Sequence, residues 1–170
     1  MCVDYLRDKY SNIRFVAIFP AIKLMYDNGN EDNTLIMATK GTMDSKKFHE
    51  LYDKYSVNNC YLLSCVGLAN LIEDNDIEKI EKYLGDNMSC YKDKVSSVVL
   101  GCTHYPLIKK EISKVLGIDI FYDGSVGVAK QLVRIIKDNG YVSDGDNGVS
   151  FVDSSKDINK EKRFFDILEG

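Results

Sequence analysis

The chain has 170 residues, with 22 Lys and Arg against 26 Asp and Glu for a formal net charge of −4; 45% are hydrophobic, 28% charged, 12 are Gly and only 2 Pro. This composition excludes disordered, collagen-like and low-complexity chains, and the absence of a basic run argues against a nucleic-acid partner. The longest apolar stretch, Phe15 to Ile22, has eight residues, far short of the roughly 20 that span a bilayer. No membrane partner is expected, and an N-terminus of mixed charge without a signal-peptide pattern predicts a cytoplasmic protein. The five cysteines, Cys2, Cys60, Cys65, Cys90 and Cys102, show no Cys-x-x-Cys spacing and accompany only two histidines. That pattern predicts free thiols, without disulfides and without a metal site.

Taken in chain order, Ile13 to Ile18 reads as a strand entering Pro20, and Pro20 opens a helix through Ala21, Ile22, Leu24 and Met25 that stops at Asn28-Gly29. Thr34 to Ala38 forms the next strand, followed by a polar turn over Thr39 to Asp44. Phe48, Leu51, Tyr52 and Tyr55 recur at helical spacing, with His49 at the margin of their stripe, and Asn59 to Leu63 reads as a third strand. The opening pattern is therefore βαβαβ. Residues 66 to 93 are mainly helical, with Ile77, Ile80 and Leu84 on one face, and Ser97 to Leu100 is a buried strand. Pro106 suits a first helical position; Ile108, Ile112, Val115 and Leu116 make the buried face, and Gly117 the C-cap. Ile118 to Tyr122 gives another strand. Asp123-Gly124-Ser125 opens a helix with Ala129, Leu132, Val133 and Ile136 inward, 139 to 148 is a loop, and a last strand and helix close the chain.

Strands separated by helices predict an α/β fold, a mostly parallel sheet with helices on both faces, whose ligands bind beyond the carboxyl ends of the strands. That rim carries Phe19-Pro20, Thr39-Lys40-Gly41-Thr42, Ser64-Cys65, Gly101-Cys102-Thr103-His104 and Asp123-Gly124-Ser125. Cys102 leaves a buried strand just before an expected helix N-terminus, with His104 two residues on. An ordinary thiol titrates near ~8.5, and a helix N-terminus or a cationic histidine lowers that toward neutrality. The alternative is a small buried cysteine beside a capping histidine. Thr39 to Thr42 lacks the length and glycines of a phosphate loop, so it reads as a turn capping the next helix, with a small-anion contact as the other reading.

At Leu100-Gly101-Cys102-Thr103-His104-Tyr105-Pro106-Leu107 the sequence resembles the glutamate racemases, which carry their second catalytic cysteine in a Gly-Cys-Thr-His-Tyr-Pro motif after a strand. Further matches follow in the family's order: Pro20-Ala21-Ile22-Lys23, Ala38 to Ser45, Leu71-Ile72-Glu73, and Asp123-Gly124-Ser125 with Val128-Ala129. The resemblance implies the two-lobe architecture of the aspartate/glutamate racemase superfamily and cofactor-independent chemistry in which two cysteines work on opposite faces of the substrate. It implies that Cys102 and His104 are catalytic, that Thr103, His104, Thr39 and Thr42 bind the amino acid, and that Glu73 supports His104. Aspartate racemases usually carry a glutamate where this chain has His104, which favours glutamate as the small-molecule substrate.

Neither the family's Asp-Ser-Gly motif nor its Cys-Asn-Thr motif, which carries the first cysteine, occurs in this sequence. The resemblance thus describes an N-terminally truncated racemase with most of its first lobe missing. Residues 1–16 correspond to a remnant of that lobe, 17–122 to the second lobe, and 123–170 to the return into the first. Such a chain is expected to racemise poorly or not at all, and to leave Leu132, Val133, Ile136, Phe151, Phe164 and Phe165 uncovered, with self-association or a homodimer as one result. Two other functions stay open: a silent amino-acid-binding or interaction module, and an aspartate or hydantoin racemase of the same superfamily.

Overall fold

The computed structural model describes residues 2–29, 33–55, 60–142, 148–155 and 157–169. In order, the elements are α1 (Cys2–Lys9), α2 (Ile22–Asp27), β1 (Thr34–Ala38), α3 (Lys40–Met43), α4 (Lys46–Tyr55), β2 (Tyr61–Ser64), α5 (Leu68–Glu73), α6 (Ile77–Met88), β3 (Ser97–Leu100), α7 (Lys109–Leu116), β4 (Phe121–Tyr122), α8 (Ser125–Asp138) and α9 (Ile158–Glu169), with short 3-10 turns at Ser89–Tyr91 and Tyr105–Ile108. Met1–Ile135 forms one compact unit and Ile136–Gly170 a second.

The first unit is built on a four-stranded, all-parallel sheet in the order β2-β1-β3-β4. Successive side chains on a strand point to opposite faces, and both faces here are covered, so β1 and β3 are apolar at nearly every position. Leu35, Met37, Val98 and Leu100 pack on one face against Leu68, Ile80, Leu84 and Ile112 from α5, α6 and α7. Ile36 and Val99 pack on the other against Ile22 and Met25 of α2 and Phe48 of α4. Among the described residues the buried polar pair of this core is mutually satisfied: the Thr34 and Ser97 hydroxyls lie 2.6 Å apart across β1 and β3.

Several expectations need correction. Residues 14 to 20 are irregular and join no ladder, so the opening is not βαβαβ; an apolar, β-branched run becomes a strand only beside a partner, and none of the described strands pairs with it. Arg7 instead donates to the Phe15 carbonyl at 3.0 Å. The helix expected at Pro20 starts at Ile22, with Leu24 and, in α6, Ile77 exposed. The polar turn after β1 contains α3, because Thr39 caps it by accepting from the Thr42 amide at 3.2 Å. The 66 to 93 stretch is mainly helical as expected, in two helices separated where Asn75 takes φ 54° and Asp76 caps α6. The last sheet strand is Phe121–Tyr122 alone, a short edge strand.

On α8, Ala129, Leu132 and Val133 are not inward; Leu132 and Val133 are 48% and 49% exposed and Ile136 is exposed too, because no described element covers that face. Phe164 is also exposed, while Phe151 and Phe165 are partly covered by ring contacts with Phe164 at 5.0 and 5.3 Å. Residues 148–155 hold no strand, so the expected final strand is absent among the described residues. Asn59 and residues 143 to 147 of the expected 139 to 148 loop lie outside those residues. No helix of the described residues is long and apolar enough to cross a membrane.

Gly101 marks the tightest point of the sheet's upper edge. Its N–H donates to the Met37 carbonyl at 2.7 Å, and a Cβ at this position would sit 2.7 Å from that oxygen and 2.9 Å from the Ala38 Cβ. Backbone and a buried Ala cannot yield cheaply, so Gly101→Ala is expected to lower stability by about 1–3 kcal/mol, read as a drop in the urea midpoint with little change in slope.

Candidate active site

In the order β2-β1-β3-β4 the chain leaves β1 toward β2 and then returns past it to β3, so the direction of winding reverses between β1 and β3. Loops diverge at such a switch point and leave a crevice beyond the strand ends. A cavity of about 640 Å³ occupies that place, lined by Thr39 and Thr42 after β1, Cys102, Thr103 and His104 after β3, and Asp123, Gly124 and Ser125 after β4. Pro20 and its neighbours Ile18 and Phe19 complete it from the irregular segment.

Within this cavity Cys102 Sγ lies 3.6 Å from His104 Nδ1, and His104 Nε2 is hydrogen-bonded to Glu73 Oε1. Glu73 ends α5 and is half-exposed, and His104 is partly buried. A carboxylate accepts only, so Nε2 donates to Glu73 and Nδ1 is the ring nitrogen that faces the thiol. The three side chains form a thiol–imidazole–carboxylate line, an arrangement that moves a proton to or from sulfur. The expected helix directly after Cys102 is replaced by the 3-10 turn at Tyr105–Ile108, and α7 begins only at Lys109. A helix dipole acts within its first turn, and the side chain that faces the Cys102 thiol is His104.

Thr39 and Thr42 reach the cavity with their hydroxyls 2.9 Å apart, and Thr103 lies exposed on its rim. Glu73 touches the site through His104 and is not part of the lining. Sequence reasoning passed over Ser45 and Lys47, which also line the cavity; they belong to the turn before α4 and its first turn, one helix beyond the strand end. His49 is exposed on α4. Among the described residues no group of three or more His, Cys, Asp or Glu side chains is arranged to hold a metal ion.

Cys65, at the end of β2, is the contrasting thiol. It is buried, its Sγ 3.6 Å from the Leu63 carbonyl, and burial pushes it up to about 12. Its own carbonyl accepts from the buried Tyr105 hydroxyl at 3.5 Å, and burial raises that phenol as well. Cys60 is partly buried and Cys90 exposed. The side chain of Cys2 lies outside the described residues.

No protein-family model matches the chain. It is 38% identical over 149 residues to a glutamate racemase of Clostridium botulinum, covering 85% of this chain and 58% of that protein. It is 44% identical over 134 residues to one of Clostridium kluyveri, covering 76% and 52%. This chain is a homologue of the glutamate racemases. The structure of the Escherichia coli glutamate racemase, in complex with L-glutamate and the activator UDP-MurNAc-Ala, superposes with a TM-score of 0.71 over 98% of this chain and 65% of that one, at 19% identity. The fold is thus that of the aspartate/glutamate racemases, and this glutamate-racemase homologue spans a little over half the length of the relatives just described.

Two outcomes follow from the environments of these groups. Iodoacetamide at pH 8 should label Cys90 and Cys102 in the native chain while Cys65 stays protected until denaturant is added, as peptide mass spectrometry would read. At Asp123, burial acts to raise the carboxyl, but hydrogen bonds from Lys109 and Ser125 outweigh it and hold the group below its ordinary value. Its contribution is present above the unfolded carboxyl pKa near ~3.9 and is lost as pH falls through the lower folded value. Asp123→Asn should therefore cost about 1 kcal/mol at pH 7 and progressively less toward pH 3, measured by chemical unfolding at each pH.

Proposed function

We propose that this chain carries one side of the acid–base machinery of a glutamate racemase, interconverting L- and D-glutamate without a cofactor. The observation that supports this reading above the others is the Cys102–His104–Glu73 line on a cavity at the switch point. In the proposed step His104 Nδ1 takes the thiol proton. The Cys102 thiolate then removes the substrate α-proton, forming S–H, and the C–H electron pair stays on Cα, spread into the α-carboxylate. Thr39, Thr42 and Thr103 hold the substrate, His104 binds as well as relaying the proton, and Glu73 orients His104.

Inversion needs a second acid on the opposite face of Cα. Among the described cavity residues Cys102 is the one thiol, so the chain alone should not interconvert the enantiomers. The same reading includes a cytoplasmic protein whose D-glutamate serves peptidoglycan synthesis, the division at 1–16, 17–122 and 123–170, and self-association through the exposed face of α8. The relatives' names and the L-glutamate-bound neighbour favour glutamate over aspartate or a hydantoin as substrate.

The test is α-proton exchange in D2O, followed by NMR with L- and D-glutamate separately. The expected result is exchange of one enantiomer only, without interconversion, and a loss of about 100-fold or more in Cys102→Ala. Saturable glutamate binding with no exchange of either enantiomer would favour a silent binding module. Cys102-dependent exchange of both would place a second base within this chain, and exchange of aspartate or a hydantoin instead would move the substrate.

A further inference from the structure

Two stretches of the cavity lining are joined by an ion pair that the acid–base chemistry does not use. Lys109 Nζ lies 2.7 Å from Asp123 Oδ2, and Asp123 Oδ1 accepts the Ser125 N–H at 2.9 Å. The Asp123 side chain is only 14% exposed and that of Lys109 38%, so the pair is shielded from solvent more than any other lysine–carboxylate pair among the described residues. Those other pairs are mostly exposed links within one helix, of the kind worth little.

The two partners hang from different walls. Lys109 begins α7 directly after the 3-10 turn that follows Cys102-Thr103-His104. Asp123 leads into Gly124 and Ser125, which line the same cavity, and Gly124 is pressed so closely on the irregular segment that a Cβ there would lie 2.7 Å from Ile18 and 3.1 Å from the Phe19 carbonyl. Neither Ile18 nor Phe19 is held by a strand ladder. The β4–α8 turn is therefore in contact with the segment, and the ion pair adds to the β3–β4 ladder a side-chain tie between that turn and the start of α7.

We propose that Lys109 and Asp123 are positioning residues, a clamp that sets how closely the Ile18–Pro20 and Gly124–Ser125 walls stand to Cys102 and so which molecules reach its sulfur. The inference rests on the reading above only for the identity of the occupant. A bidentate-capable Arg can make the same contact, whereas a neutral residue cannot.

The test is the size selectivity of Cys102 alkylation, the ratio of its rate with N-phenylmaleimide to its rate with iodoacetamide, measured peptide by peptide on the whole chain. Lys109→Ala and Asp123→Asn should each raise this ratio about threefold, Lys109→Arg should restore it, and Lys110→Ala, an exposed neighbour, should leave it unchanged. Thermal melts accompany each variant. An unchanged ratio in folded Lys109→Ala and Asp123→Asn overturns the clamp. Loss of the fold in both also overturns it, because the pair is then structural. Protection of Cys102 by glutamate is scored separately: a ratio that follows the clamp without glutamate protection keeps the clamp and removes the glutamate reading.

Discussion

Everything in the first unit depends on the parallel pairing of β1 with β3. These strands are buried on both faces, their alternating side chains supply the centre of two separate cores, and the buried Thr34–Ser97 contact fixes their register. Parallel neighbours cannot be joined by a hairpin, so each connection carries helices across a face of the sheet. Winding reverses between these two strands, which opens the loops after Ala38 and Leu100 away from each other. The cavity is a consequence of that reversal. Gly101 keeps the two strand ends close enough for the residues that follow them, Thr39 and Cys102, to share it.

Environment separates two thiols that occupy equivalent places in the chain. Cys65 and Cys102 both follow a parallel strand. Cys65 turns into the core, where burial disfavours the charged form and its polar neighbours are the Leu63 carbonyl and the buried Tyr105 hydroxyl, neither of them a base. Cys102 turns to the cavity, where an imidazole faces it and a carboxylate stands behind that imidazole. Chemistry at a thiol requires a base within reach and room for a substrate, and one of these two cysteines has both.

Periodicity made much of the fold readable. The runs Thr34 to Ala38 and Ser97 to Leu100 became strands over the expected residues, and the helical repeats in α4, α6 and α7 buried Phe48, Ile80, Leu84 and Ile112 as expected. The expectations that failed did so where a pattern needed a partner. Ile13 to Ile18 has strand composition but no described neighbour to pair with, and the apolar stripe of α8 has no described element to cover it. Another failure was local: one threonine cap turned Thr39 to Asp44 into a short helix, whereas Pro106 holds its expected early helical position, in a 3-10 turn that leads into α7.

By itself the sequence determined the α/β class, the identity of the rim segments and the motif Gly101 to Pro106, because these are carried by contiguous residues and by repeats of two or 3.6. Tertiary structure decided which rim residues meet. Glu73 is 31 positions from His104, and Lys109 is 14 from Asp123; no local pattern encodes either contact. Ser45 and Lys47 line the cavity from beyond α3, outside the segment that directly follows a strand. Hydrogen bonds and ion pairs form between atoms that the crossovers bring together, and the order of the strands, not their separate propensities, sets those neighbours.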